Sequence, residues 1–561
     1  MISFMRYGVM SFFKRFDNNI RLRWVILFLV VVTIAAHGLT LLNDGFAYDA
    51  WLMYINRQHK RYDLLWRYYT EHRIPHIALL HWFIGYTPNL ALTYTALSVA
   101  TLLSCCVMVF LIARQLSVGF RDSLLIAVFS LIYPSYQTLA ASGTYIYQVH
   151  LLFFFAGALC ALYSQKYYFS NKILFYKMIF LALVLFFFSF NTGSLLVFYV
   201  AFIVLYMSSI SKPFRPIYLL KNFDLFLCPL LFWAMTRWVF FPTPPIFNAD
   251  YNTPKLEYVL NWYAGLRFAF NSIFGVIQWS FEQTPAWLPL LFVVLLSTLN
   301  LGASAEAVSQ KYKYAVSLTL FGAFCWVCAT FAYVAVGKIA TLHGHDTRFA
   351  LLVSYAMAII ITGLLKILLD AVSNQVKMAG WVLTLTLCAS FIFANNDNNL
   401  AWLARWVKMN SVIANLPVVP NISNVSILTV QDEFVPIQTE SVGWSLMESY
   451  FDWTSVLQLA LGPRVVSADQ LVLVDLAEKM NTPEDRTFIR QYYLVDQFDP
   501  QGCHAKLTIQ RAAAAGQMGQ FGMVRRYLYY RYLAPAGLNS FLRGLSTLNM
   551  SSFSAACGSS Q

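Results

Sequence analysis

Trp24 to Leu42 is an apolar run without a single Asp, Glu, Lys or Arg. It is about the length needed to cross a hydrocarbon core ~30 Å thick. In lipid every backbone amide must find its partner within the segment, so such a run can only be helix. Runs of the same kind recur: Ala91 to Ala113, Ser123 to Ala141, Ile146 to Tyr163, Leu174 to Phe190, Ser194 to Ile210, Phe223 to Phe241, Ala286 to Leu301, Tyr314 to Val336, Phe349 to Leu369 and Gly380 to Ala394. That makes about eleven spans. With 59% hydrophobic and only 12% charged residues, the chain excludes a soluble globular protein. The first run is too long, and lacks the small-residue cleavage site, to be a removable signal peptide.

Charge sets the orientation. Lys14, Arg15, Arg21 and Arg23 precede the first run, and Lys or Arg marks each inner turn: Arg114 and Arg121, Lys166 to Lys177, Lys212 to Lys221, Lys311 and Lys313, Lys366 and Lys377. The tight outer turns at Ser142-Gly143-Thr144 and Asn191-Thr192-Gly193 carry none. The positive-inside rule then puts the N-terminus in the cytoplasm. Residues 256–283 are apolar but include Glu257, Arg267, Asn271 and Glu282, and read as amphipathic helix on the outer surface. A twelfth span there would invert everything downstream. With an odd count the C-terminus lies outside the cytoplasm. The net charge of +13 then reflects inner loops facing anionic lipid, not nucleic-acid binding.

The expected fold is an all-α polytopic membrane domain over 1–395, with a long first outer loop at 43–90, and a small extracytoplasmic α/β domain over 396–561. Asn395 to Asn399 reads as a polar exit from the last span. Val425 to Val430 and Leu471 to Val474 read as buried strands. Trp444 to Leu461 and Met523 to Arg543 read as helices, with Gly516 to Gly522 a loop. No catalytic signature stands out in this domain, so its expected role is a cap or an acceptor surface. Seven of the nine cysteines fall in apolar runs and behave there as small hydrophobes. Cys325 and Cys328 have redox spacing but sit mid-run. Cys503 and Cys557 remain, and an oxidising compartment permits a disulfide between them.

The stretch Asn43-Asp44-Gly45-Phe46-Ala47-Tyr48-Asp49-Ala50-Trp51 begins where the first span ends. Two carboxylates at the outer surface can hold a divalent cation such as Mg²⁺ or Mn²⁺, or take a proton from an attacking hydroxyl. Asn-Asp-Gly is also ordinary turn chemistry. The loop that follows holds Arg57, Lys60, Arg61, Asp63, Arg67, Glu71, His72 and Arg73. Cations on the outer side break the positive-inside rule, and an anionic ligand such as a lipid-linked phosphate is one reason for them. Salt bridging among Arg61, Asp63, Arg67 and Glu71 at helical spacing is the other. Ile74 to Leu90, interrupted by Pro75, Gly85 and Pro88, reads as a surface segment. A later outer loop places His343, His345, Asp346 and Arg348 before a span. The first three have metal-ligating chemistry, and interfacial anchoring is the alternative. Tyr145, Tyr147, Gln148 and His150 suit either a sugar site or the aromatic belt.

This layout, with a first span, an acid at its outer end, a long loop with surface helices, many spans and an outer C-terminal domain, resembles the GT-C superfamily of integral-membrane glycosyltransferases. The resemblance implies a polyprenyl-phosphate-linked sugar donor, inverting displacement, and an Asp of the first outer loop as base or metal ligand. Asp44 matches that position. Asp49 is a candidate second acid, but its spacing departs from the near-adjacent acids of many members. Arg348 looks like the late-loop arginine that faces the donor phosphate. Glu71, His72, Arg73, Tyr147 and Gln148 complete the expected substrate-binding set. The resemblance also implies a glycan, lipid or protein acceptor, contact with membrane lipids, and a place in the cytoplasmic (inner) membrane. Two other readings stay open: a lipid-linked oligosaccharide polymerase or ligase, which needs outer arginines but no essential acid, and a transporter. Transport sites usually lie at mid-membrane, whereas these charges collect in outer loops.

Overall fold

The computed structural model describes residues 22–46, 49–58, 60, 62–71, 74–168, 170–210, 217, 220, 223–239, 255–297, 308–371, 373–434, 450–462, 465–467, 503–516 and 518–552. Helix α1 (Leu22–Leu42) turns 3₁₀ over Gly38–Leu42. Its Val25, Leu29 and Ala36 are buried against the bundle, while Trp24, Leu27, Phe28, Val31 and Ile34 are exposed. An exposed apolar face of that size suits lipid and not water. Three short helices follow α1: α2 (Asp49–Gln58), α3 (Tyr62–Glu71) and α4 (Pro75–Gly85). The last has Pro75 at its start, where a missing N–H costs nothing.

The bundle continues with α5 (Leu90–Gln115), α6 (Phe120–Ile132), α7 (Tyr145–Ser164), α8 (Lys172–Ser189), α9 (Gly193–Ser209) and α10 (Phe223–Ala234). Next come α11 (Leu256–Leu260), α12 (Trp262–Glu282), α13 (Trp287–Ser297), α14 (Val308–Val334), α15 (Val353–Leu369) and α16 (Asn374–Asn415). Six helices of the described residues are long and apolar enough to cross a membrane: α1, α5, α7, α8, α14 and α16. Helices α9, α10, α13 and α15 are apolar but shorter. The chain therefore has the make-up of a multi-pass membrane protein, with six such helices where about eleven spans were expected. The expected third span is only α6, followed by 3₁₀ turns at Gln137–Ala140 and Ser142–Thr144. Helices α11 and α12 cover residues 256–283 and are not among the candidate spans.

Where α6 begins and α15 ends, the two are joined by a compact ion-pair network. Lys366 Nζ reaches Asp122 and Asp370, each at 2.7 Å, and Arg121 Nη2 reaches Asp370 at 2.7 Å and Asp122 at 3.1 Å. At the other end of α6, the asparagine-rich stretch lies within the unbroken helix α16. Asn395 donates to Ile132 O at 2.6 Å, Asn396 to Ala35 O at 2.8 Å, Asn398 to Gln137 O at 2.9 Å and Asn399 to Ala36 O at 3.2 Å. These amides satisfy carbonyls near the ends of α1 and α6, where an apolar neighbour would leave them orphaned. Helix α16 thus runs unbroken for 42 residues, roughly 63 Å at 1.5 Å per residue.

Its C-terminal half carries the C-terminal domain. Arg405 Nη2 pairs with Asp452 Oδ2 at 2.8 Å, both almost fully buried, and Lys408 pairs with Asp432. The sheet order is β2-β1-β3-β4, with β1 (Val425–Asp432) parallel to β2 (Val466–Ser467) and to β3 (Cys503–Arg511), and β4 (Ser546–Ser552) antiparallel to β3. Along β3, Cys503, Ala505, Leu507 and Ile509 are buried in strict alternation. Helix α17 (Tyr450–Leu461) covers the end of the expected Trp444–Leu461 helix. The expected Met523–Arg543 helix divides into α18 (Gln520–Tyr532) and α19 (Leu538–Arg543), separated by Pro535. Leu471 to Val474 lies outside the described residues. Cys503 is disulfide-bonded, the seven cysteines of the apolar runs are free, and Cys557 lies outside the described residues.

Candidate functional site

The turn that ends α1 is also the floor of a cavity. Asn43 is buried; its Oδ1 accepts from the Gly45 amide at 3.1 Å and its Nδ2 donates to Ala140 O at 3.3 Å. That Asx turn fixes the backbone on both sides of Asp44. Gly45 lies under the Trp406 indole, and a Cβ there would come within 2.6 Å of the ring. Close approach of this turn to α16 therefore requires glycine. Phe46 meets Tyr54 at 4.4 Å and Trp406 at 6.4 Å between ring centres. Asn-Asp-Gly is thus a turn, and it places Asp44 at the wall of a cavity.

The cavity, of about 440 Å³, lies between the C-terminal end of α1 and the C-terminal domain. Asp44, Tyr54, Arg57, Trp406 and Asn410 line it from the membrane side and α16, and Leu459, Tyr527, Arg531, Leu538 and Leu542 line it from the C-terminal domain. Tyr527 OH donates to Asp44 Oδ1 at 3.1 Å, and Arg531 Nη2 lies 3.0 Å from Asp44 Oδ2. Burial, and then the Asp44 charge beside it, push the Tyr527 hydroxyl well above its ordinary pKa against the opposing pull of the Arg531 charge, so it remains a donor. Arg57 donates to Thr87 O, which holds its guanidinium at the rim. A carboxylate, two guanidiniums, an amide and aromatic faces in one cavity can bind a polyol that carries an anion.

The other expected site residues are distributed as follows. Asp49 begins α2, and its side chain, like that of Glu71 at the end of α3, lies outside the described residues. His72 and Arg73 lie outside them altogether, as does Arg61. Arg348 sits on the 3₁₀ turn His345–Ala350, 3.6 Å from Asp346 and stacked 4.8 Å over Phe349; it does not line the Asp44 cavity. It instead lies near Lys338, whose ammonium is pushed down to about 8 by burial and then by the Arg348 charge. His343 packs edge-on to Trp279 at 4.9 Å, and burial pushes its imidazole down to about 4. Tyr147 is exposed at the start of α7, while Gln148 is buried there, and neither lines the cavity. Tyr145 and His150 are packing residues: Tyr145 OH lies 3.2 Å from His81 Nε2, and His150 bridges Thr192 and His76 at 2.8 and 3.0 Å.

Among the described residues no group of three His, Cys, Asp or Glu comes together. The side chain of His345 lies outside them. At Asp44 the Arg531 guanidinium lies 3.0 Å from Oδ2. Tyr527 and Arg531 were missed in the sequence because nothing local marks them. The signal that existed was compositional, an Arg- and Tyr-rich helix in a domain expected to be outside the membrane.

No family model, curated protein or solved structure matches this chain. The functional reading therefore rests on the cavity itself.

Proposed function

We propose that the protein is a membrane glycosyltransferase that moves a sugar from a polyprenyl-phosphate donor to an acceptor hydroxyl at the outer face of the cytoplasmic membrane. The observation that carries this reading is that Asp44, at the outer end of α1, opens onto a cavity with Arg57, Arg531, Tyr54 and Trp406. In this reading Asp44 takes the proton of the acceptor hydroxyl. The oxygen attacks the anomeric carbon, and the carbon–oxygen bond to phosphate breaks, its electron pair leaving with polyprenyl phosphate. Tyr527 holds the carboxylate in position. Arg57 and Arg531 face the leaving phosphate; Arg531 must exchange its contact with Asp44 for one with the donor. Arg348 lies outside the cavity, so the phosphate role passes to this pair. The N-terminus is cytoplasmic and the C-terminal domain outside, which puts both walls of the cavity in one compartment.

Purified protein in detergent, given a panel of polyprenyl-phosphate sugars, should release polyprenyl phosphate and glycosylate an acceptor. A described cavity that takes none of these donors, shown by neither binding nor turnover across the panel, contradicts the reading.

A further inference from the structure

Helix α18 carries more than the two side chains that meet Asp44. Its buried residues include Met523, Val524 and Tyr527, which face the domain core and the cavity. With about 100° of rotation per residue, Phe521, Tyr532, Arg525, Tyr529, Leu533 and Arg526 fall within one arc of roughly 140° on the other side. Phe521 is 65% exposed, Tyr529 53%, Tyr532 57% and Leu533 77%. Arg525 and Arg526 are exposed between them. Aromatic rings interleaved with guanidiniums are poorly suited to open water. They match the headgroup layer of a bilayer, where amphipathic rings sit and arginine meets lipid phosphate.

The height of the helix supports the same occupant. Asp44 follows directly on the outer end of α1, a membrane-length helix. The contacts of Tyr527 and Arg531 with Asp44, at 3.1 and 3.0 Å, fix α18 at that level. We propose that α18 lies in the outer headgroup layer and binds anionic phospholipid through Arg525 and Arg526, with Phe521, Tyr529 and Tyr532 seated among the headgroups. The inference rests on α1 spanning the membrane and not on glycosyl transfer. It places one wall of the Asp44 cavity against lipid, so a lipid-linked ligand reaches the cavity without leaving the bilayer surface.

The test uses the full chain in nanodiscs, spin-labelled at Tyr529→Cys, with Ile34→Cys on the exposed face of α1 as the lipid reference. Asn549→Cys on β4 is the water reference, and the labelled parent protein is subtracted as background. Power-saturation spectroscopy compares the accessibility of each label to oxygen and to a water-soluble nickel chelate. In discs containing phosphatidylglycerol the label at 529 should favour oxygen several-fold over the pattern at 549. Replacing phosphatidylglycerol by phosphatidylcholine, or introducing Arg525→Glu with Arg526→Glu, should move it toward the water pattern. A label at 529 that matches 549 in the anionic discs overturns the proposal, and α18 is then a surface for a soluble partner. A lipid-like label indifferent to both lipid charge and charge reversal overturns the anionic-lipid assignment. The lipid exchange needs no second mutation, so it reads out even where the reversed variant fails to fold.

Discussion

Gly45 shows how tightly a single residue constrains the site. Its neighbour is the rigid Trp406 ring, not the end of a flexible chain. Gly45→Ala should destabilise the protein by about 1–3 kcal/mol, the usual cost of overpacking. Gly193→Ala, where nothing lies within 4 Å of the added carbon, should change stability little. Denaturant unfolding of the two variants in one detergent makes the comparison, and equal midpoints would mean that the turn does not need glycine. Tyr527→Phe removes one hydrogen bond to a carboxylate, worth about 1.5–3 kcal/mol. If Tyr527 positions Asp44, kcat should fall roughly ten- to a hundredfold with little change in KM. A rise in KM alone would assign Tyr527 to substrate binding. At this scale the sequence was half legible. Asp44 stood out as an acid at a membrane exit, but its partner Tyr527 is 483 positions away, and no local pattern connects two residues at that distance.

Helix α16 is the element that joins the two halves. Removing one member of its buried Arg405–Asp452 pair strands a charge in a dry interface. Arg405→Met should therefore cost about 3–5 kcal/mol, and Arg405→Met with Asp452→Leu should recover much of it. Additive losses in the double variant would show that the pair is not coupled. Where α15 ends, burial alone would raise Asp370, but its hydrogen bonds to Lys366 and Arg121 win and hold the carboxyl below its ordinary value. A lowered carboxylate stabilises the folded state above the unfolded pKa of about 4 and loses that contribution as pH falls through the lowered value. Unfolding followed from neutral pH downward should show stability declining in that acid window, and Asp370→Asn should flatten the decline. An unchanged slope would remove Asp370 from the acid response. Apolar periodicity read the long helices well, because burial and lipid contact both demand it. It did not reveal the partners of Asn395 to Asn399, since asparagines that serve a neighbour's carbonyls look the same in sequence as asparagines leaving for water. It also passed over β3, whose alternation of Cys503, Ala505, Leu507 and Ile509 with polar residues is visible but short.

At the scale of the whole molecule, the C-terminal domain forms one wall of the cavity. It supplies Tyr527 and Arg531 to an acid that belongs to the membrane domain, and α16 holds the two in register. An α/β domain outside a helical bundle was legible from composition, because a polar tail with β-branched runs follows the last span. That the domain closes over Asp44 was not, because the contact is between surfaces and leaves no periodic trace. The central claim is that Asp44 is the base in glycosyl transfer. It is tested most directly by the single-turnover rate of Asp44→Asn, with a donor the wild-type protein uses. Asparagine keeps the turn and the shape but is a poor proton acceptor. The rate should fall by ~10²–10⁴ with donor binding retained; wild-type turnover in Asp44→Asn would contradict the claim.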